Sequence, residues 1–202
     1  NKYAGYTIKE TNPSEVPDEV TTSTVIKVYY EVETYSLIYN YNGGELPEGK
    51  TNPANYNVET DSFTLNNPEK EGYTFAGWTS DNGATYQTEV TIEEGTIGDI
   101  TFLATFSPNQ DTKYTVIHNK MNMNGVYEEA EREELHGETD SEVTPNRKNY
   151  EGFIIPQGET KTINGNGSTT FVYNYERAKY TFGVTDRTYL DSTSTANGEY
   201  YY

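Results

Sequence analysis

Residues Gly44-Glu45-Leu46-Pro47-Glu48-Gly49-Lys50-Thr51 fit the phosphate-loop pattern G-x-x-x-x-G-K-[ST] and follow a strand-like run. Such a loop aims backbone N–H groups at phosphates from a helix N-terminus, with Lys adding charge. This sequence opposes that chemistry. Glu45 and Glu48 would repel phosphate, Pro47 lacks one of the N–H donors, and Pro53 stands where a long helix should run. No alternation of strands and helices follows. The segment reads as a Gly-rich hairpin loop.

The only histidines are His118 and His136, and there is no Cys. A zinc site would need both, with carboxylates. His118 closes an alternating strand face and His136 follows Glu133-Glu134-Leu135, so they read as unrelated strand residues. The calcium loop D-x-[DN]-x-[DN]-G is absent. Glu93-Glu94, Glu128-Glu129 and Glu133-Glu134 are doublets whose members point to opposite faces of a strand, and Asp186 and Asp191 flank a turn without further support. The expectation is no cofactor, with weak surface calcium the one cation chemistry left open. No Ser–His–Asp or paired-carboxylate constellation stands out, so the chain is expected not to be an enzyme. Lys27, Lys113, Lys161 and Lys179 lie on or beside strands, but no Lys–Asn–acid trio for an isopeptide cross-link is singled out. The ligand chemistry with most support is aromatic. Tyr29, Tyr189, Tyr200, Tyr201 and Tyr202 are candidates to stand outside the cores, where sugar rings stack on Tyr faces and Asn or Asp bond hydroxyls.

The composition agrees. Hydrophobic residues make up 33% of 202 residues, yet 20 are Tyr, so Tyr supplies core volume that Leu and Ile usually supply. That suits thin sheets in one to three small domains. A net charge of −18 argues against nucleic acid and anionic membranes as partners. Absence of Cys excludes a disulfide scaffold, and no apolar run is long enough to span a bilayer in this segment. No signal peptide is seen, and the chain reads as a segment of something longer.

Period-two alternation dominates. Tyr35, Leu37, Tyr39 and Tyr41 share a face, as do Phe102, Ala104 and Phe106; Tyr114, Val116 and His118; Phe171, Tyr173 and Tyr175; and Tyr180, Phe182 and Val184. Asn-Gly pairs at 42, 82, 124, 164, 166 and 197 predict tight turns. The Glu-rich run 127–135 has no apolar stripe and reads as a strand with a charged outer face. Pro53 to Tyr56 could form one helical turn capped by Asn52. The fold class expected is mostly β (α+β at most): tandem small β-grasp-like modules in an elongated array.

The sequence also repeats itself. Tyr3-Ala4-Gly5-Tyr6 parallels Tyr150-Glu151-Gly152-Phe153, and Val28-Tyr29-Tyr30-Glu31 parallels Tyr173-Asn174-Tyr175-Glu176. Lys179-Tyr180-Thr181-Phe182 parallels Lys113-Tyr114-Thr115-Val116. Four domains follow: 1–33 as the C-terminal half of a repeat, 34–107 as a different module, 112–177 as a whole repeat, and 178–202 as the N-terminal part of a further one. The two partial repeats are expected to pair, either head to tail between neighbouring copies or by packing on the intact modules.

Residues 34–107 resemble the internalin-type B repeat (Listeria–Bacteroides repeat). The resemblance rests on Tyr39-Asn40-Tyr41-Asn42-Gly43-Gly44, Leu46-Pro47-Glu48-Gly49-Lys50-Thr51-Asn52-Pro53, Phe63-Thr64-Leu65, 68–78 ending in Ala76-Gly77-Trp78, and Phe102-Leu103-Ala104-Thr105-Phe106. Phe106 stands where the family usually has Trp, and Trp78 is expected in the core. Residues 112–177 are more loosely similar to the mucin-binding-protein (MucBP) repeat, through Lys113-Tyr114-Thr115-Val116, Gly137-Glu138, Tyr150-Glu151-Gly152-Phe153 and Thr169-Thr170-Phe171-Val172-Tyr173-Asn174-Tyr175. Both resemblances imply β-grasp-like folds in extracellular, cell-wall-anchored proteins of the bacterial surface, often Gram-positive. They imply a non-catalytic stalk or spacer. The alternative is an adhesin module binding mucin glycans or a host surface protein through exposed Tyr residues.

Overall fold

The structure, a computed structural model, describes residues 3–15, 18–19, 23, 25–81, 83, 85, 87–184 and 196–201. The chain divides into two compact units, Asn1–Ser107 and Pro108–Tyr202. Among the described residues every regular element is a strand, and no helix is long and apolar enough to cross a membrane.

The first unit contains β1 (Tyr6–Asn12), β2 (Lys27–Val32), β3 (Tyr35–Asn40), β4 (Asn55–Tyr56), β5 (Phe63–Thr64), β6 (Tyr73–Ser80), β7 (Thr91–Ile92) and β8 (Ile100–Pro108). Its main sheet has the order β4-β3-β8-β6, and β5 pairs with β7 in a smaller one. β3 and β8 run parallel, from Leu37↔Ile100 to Asn40↔Leu103. The long crossover that a parallel pair requires is supplied here by loops and short strands rather than a helix. The Tyr35 and Phe102 rows face inward, where Leu37, Phe102 and Ala104 are buried around Trp78. Asn42 and Gly43 take φ of 53° and 78°, the left-handed pair of a type I′ turn, as the sequence predicts. The helical turn expected at 53–56 does not form. Asn55 and Tyr56 are instead strand β4 against Ser36 and Tyr35, and the Asn52 side chain brackets the Asn66 backbone at 2.7 and 3.0 Å rather than capping a helix.

The second unit contains β9 (Thr112–Met121), β10 (Tyr127–Gly137), β11 (Glu142–Val143), β12 (Phe153–Ile154), β13 (Lys161–Thr162), β14 (Thr170–Arg177), β15 (Lys179–Val184) and β16 (Ala196–Tyr201). The sheet order is β10-β9-β14-β12, and again the opening and closing strands, β9 and β14, are parallel. The acidic run is a strand, β10, as expected. Its outer face is only half the story, because Glu131 and Glu133 turn toward the interior. Asn197-Gly198, expected as a turn, lies within β16 opposite Gly183 and Phe182. Pairing from Lys179↔Tyr201 to Val184↔Ala196 takes up both residues.

The repeat seen in sequence is a repeat in three dimensions. Tyr6 pairs with Val32 in the β1–β2 hairpin, as Phe153 pairs with Arg177 between β12 and β14. Glu33 N–H donates to Gly5 O at 2.8 Å and Ala178 N–H to Gly152 O at 2.9 Å. Gly5 and Gly152 have φ of 77° and 78°, a conformation that disfavours side chains. Rings Tyr3–Tyr30 and Tyr150–Tyr175 meet edge to face at 5.0 and 4.9 Å. The β1–β2 hairpin also packs on residues 58–59 of the same unit. Tyr6 Oη donates to Glu59 at 2.7 Å, and a Cβ on Gly5 would collide with Val58.

Candidate functional site

Two places gather side chains with chemistry to offer. The first, in the first unit, is a cleft of about 590 Å³ lined by Tyr3, Tyr6, Tyr30, Tyr35, Glu33 and Ile97 among others. The turn at Gly5 sets Tyr3 and Tyr6 on one wall. Tyr3 is 59% exposed. Tyr6 Oη donates to Glu59, and Tyr35 Oη donates to Glu33 at 2.8 Å. These hydrogen bonds hold both phenols above their ordinary pKa, since ionisation would set an anion beside a carboxylate. Aromatic faces beside carboxylates suit a ring that is neutral or cationic and carries hydroxyl or amine donors. The nearby acids disfavour an anionic one.

The second is a seam of polar groups in the second unit. His118 follows Tyr114 and Val116 on the inward row of β9 and is fully buried. Its Nδ1 lies 3.0 Å from Tyr175 Oη, and its Nε2 lies 2.9 Å from Glu133 Oε2. The Lys148 backbone N–H donates to Tyr175 Oη at 2.8 Å. Every group has a partner when Tyr175 donates to Nδ1 and Nε2–H donates to Glu133. The Lys148 ammonium pairs with Glu131 and, at 2.9 Å, with Glu133, while Tyr150 Oη donates to Glu131 at 3.0 Å. Hydrogen bonds from Lys148 hold both glutamates below the usual carboxylate range, with Tyr150 helping at Glu131 and His118 at Glu133. Burial first, and Glu131 second, push Tyr150 up to about 12. Lys120 Nζ sits 3.8 Å from the Tyr150 ring centroid, a cation–π contact. The seam has the parts of a proton relay but its groups are occupied with one another, so it works as a fastener joining β9, β10, β14 and the 145–150 loop.

The sequence candidates lie on different strands of the two units. Tyr29 lies on β2, 44% exposed. Tyr200 and Tyr201 are consecutive on β16, opposite Tyr180 and Lys179, and Tyr189 and Tyr202 lie outside the described residues. The structure adds Tyr3, Tyr6, Tyr30 and Tyr35, whose grouping depends on the β1–β2 hairpin. Their signal in sequence was the Tyr3-Ala4-Gly5-Tyr6 repeat motif itself. His118 and His136 do not meet, since His118 pairs across from Glu131 and His136 from Lys113. Among the described residues no group of three or more His, Asp or Glu is placed to hold a metal ion; Asp186 and Asp191 are outside them. The 44–51 loop holds no helix: Lys50 N–H donates to Pro47 O at 2.9 Å in a plain turn. At its start a Cβ on Gly44 would come within 2.7 Å of the Phe106 ring and 2.9 Å of Glu69 O. That glycine serves packing. Lys113 reaches Glu134 at 3.9 Å, and Lys161 reaches Glu159 at 3.1 Å and Thr170 O at 2.8 Å.

No curated protein matches this chain. Among solved structures it is similar to the Streptococcal High Identity Repeats in Tandem (SHIRT) domains 3-4 from a cell surface protein, at 19% identity and a TM-score of 0.23, over 72% of this chain and 98% of that one. The family model of the Listeria-Bacteroides repeat domain matches residues 35–105, the span built from β3 to β8.

Proposed function

We propose that the chain is a non-catalytic, force-bearing spacer segment of a bacterial cell-surface protein, held outside the cell and anchored to the wall in the full-length protein. On this reading the segments flanking 35–105 are MucBP-like repeats. The observation that carries it is the parallel pairing of the opening and closing strands in both modules, β3 with β8 and β9 with β14. Tension enters such a module at the start of one strand and leaves at the end of its neighbour. Those points lie at opposite ends of one ladder, so its hydrogen bonds are loaded together, in shear.

The test uses attachment points made by Cys substitution, which the absence of native Cys permits. Pulling between Thr34→Cys and Ser107→Cys loads β3 and β8 in shear. Pulling between Thr34→Cys and Ile97→Cys grips both strands at one end and unzips them. The shear geometry should need several times the force, since forced unfolding follows the barrier and not the equilibrium stability. Equal forces in the two geometries would remove the proposal.

A second reading, adhesion, is favoured by the tyrosine cleft. It commits to a neutral or amino-sugar glycan of mucin type, or a host surface protein carrying one. Binding on a glycan array that is lost in Tyr3→Ala would support it; a blank array would leave the spacer alone.

A further inference from the structure

Among the described residues four tyrosines are buried, Tyr56, Tyr114, Tyr173 and Tyr175. Three of them use their hydroxyls inside the fold. Tyr56 donates to Gly98 O, Tyr173 donates to Pro145 O, and Tyr175 meets His118 and the Lys148 N–H. The fourth, Tyr114, is 6% exposed, and its hydroxyl has no hydrogen-bond partner among the described residues. That oxygen still reaches solvent, because among those residues no sealed side-chain oxygen lacks a partner. The Tyr114 ring packs on Phe171 at 5.9 Å, a role that Phe would fill without desolvating a hydroxyl. Burial first, and Glu133 second, hold its phenol above the ordinary pKa, so it stays protonated and able to donate.

Tyr114 lines a pocket of about 440 Å³ in the second unit, within the range of about 300–1,000 Å³ usual for small-molecule sites. Leu135 on β10 and Val143 on β11 form an apolar wall, and the 144–148 loop forms the other. That loop is pinned in place. Pro145 O and Lys148 N–H are bonded to the Tyr173 and Tyr175 hydroxyls at 3.2 and 2.8 Å, and the Thr144 and Thr160 hydroxyls meet at 2.6 Å. The charged lining residues are two cations, Arg147 and Lys148, and one anion, Glu133. Glu133 has both oxygens engaged, by His118 and Lys148. Lys148 has two of its three N–H groups engaged. Arg147 donates one N–H to Pro156 O at 3.0 Å and pairs with no carboxylate among the described residues, although the chain has 32 acids to 14 bases. The rest of its planar fork of donors is unused. The Asn146 amide, exposed at the rim, is also unbonded among those residues. The pocket therefore offers donors beside an apolar wall.

We propose that this pocket binds a carboxylated sugar ring. Arg147 and the remaining N–H of Lys148 take the acid group, Tyr114 and Asn146 bond ring hydroxyls, and Leu135 and Val143 meet the C–H face. The pocket shares no residue with the tyrosine cleft of the first unit. It is independent of the spacer reading, since a stalk module can carry such a site as well.

Titration of the whole chain with glucuronate, followed by amide proton–nitrogen NMR, tests it. A Kd of about 1 mM is expected for so small a ligand, with shifts centred on Leu135, Val143 and Asn146–Lys148. Arg147→Gln should weaken binding about tenfold or more. Tyr114→Phe should weaken it about threefold to tenfold, yet leave the thermal midpoint unchanged or raised, since the hydroxyl makes no bond within the fold. Glucose, which lacks the carboxylate, should bind about tenfold more weakly than glucuronate. Tyr3→Ala, in the tyrosine cleft, should leave glucuronate binding as it was, so the two sites fail separately. No shifts up to about 50 mM glucuronate, equal binding of glucose, or binding indifferent to both Arg147→Gln and Tyr114→Phe would overturn the proposal. So would a midpoint lowered by Tyr114→Phe, which would give the hydroxyl a place in the fold instead.

Discussion

The two modules share a plan and differ in what fills it. In the first, the centre is a dry aromatic cluster. Trp78 is 1% exposed and meets Tyr39, Tyr41, Phe75 and Phe102 at ring-centroid distances of 5.6 to 6.1 Å, with its one N–H donated to Asn67 at 2.9 Å. In the second, Phe171 and Tyr173 pack against a seam running from His118 through Tyr175, Glu133 and Lys148 to Glu131. Aromatic packing tolerates some misplacement, because its energy follows area. A polar seam anchored on the buried His118 and Tyr175 does not, because an unmatched group there costs desolvation. The same strand order can therefore be held by a mainly apolar core or by one that specifies its partners atom by atom.

That contrast can be broken from either side. The largest effect is expected from Trp78→Ala, a loss of about 3–5 kcal/mol confined to the first unit. Calorimetry should show one transition moved and the other in place. His118→Ala should destabilise the second unit by about 1–3 kcal/mol, because the buried Tyr175 hydroxyl loses its acceptor while Glu133 is left with Lys148. Because Trp78 is the only Trp, its emission reports the first unit alone and should be untouched by that change.

Titration sharpens the comparison further. Tyr150 is an acid whose pKa is raised in the folded chain, so folding favours its neutral phenol. Its contribution is complete below about pH 10 and is lost as pH climbs toward about 12. Absorbance of ionised Tyr should appear with unfolding of the second unit. Glu131 and Glu133 are lowered, so their contribution is complete above the unfolded carboxylate pKa of about 4.3 and is lost as pH falls below it. Glu133→Gln should flatten that acid limb by lowering neutral-pH stability toward its low-pH level, and Lys148→Met, which removes the leading partner of both glutamates, should do so at least as strongly. An acid limb unchanged by Glu133→Gln would show that the pairing is ornamental.

Sequence made the buried rows legible, since period two is enough to place Leu37, Phe102, Val116 and Tyr173 on inner faces. It also marked Asn42-Gly43 and the core role of Trp78. The short strands escaped it, because two residues such as Asn55 and Tyr56 carry no periodicity and owe their pairing to β3. The polar seam escaped for a different reason. His118, Glu133, Lys148 and Tyr175 come from four separate segments that only the parallel β9–β14 pair and the β10 hairpin bring together. One clue was present: a histidine in an otherwise apolar row needs a partner once buried.

The matching geometry at Gly5 and Gly152 has an evolutionary consequence. Tyr3–Val32 and Tyr150–Arg177 enter and leave their turns in the same register, with the same edge-to-face ring pair behind them. An exchange of coding segments at those glycines would splice one repeat onto another with backbone and pairing in phase. The number of repeats can then drift by recombination without any new fold having to be found.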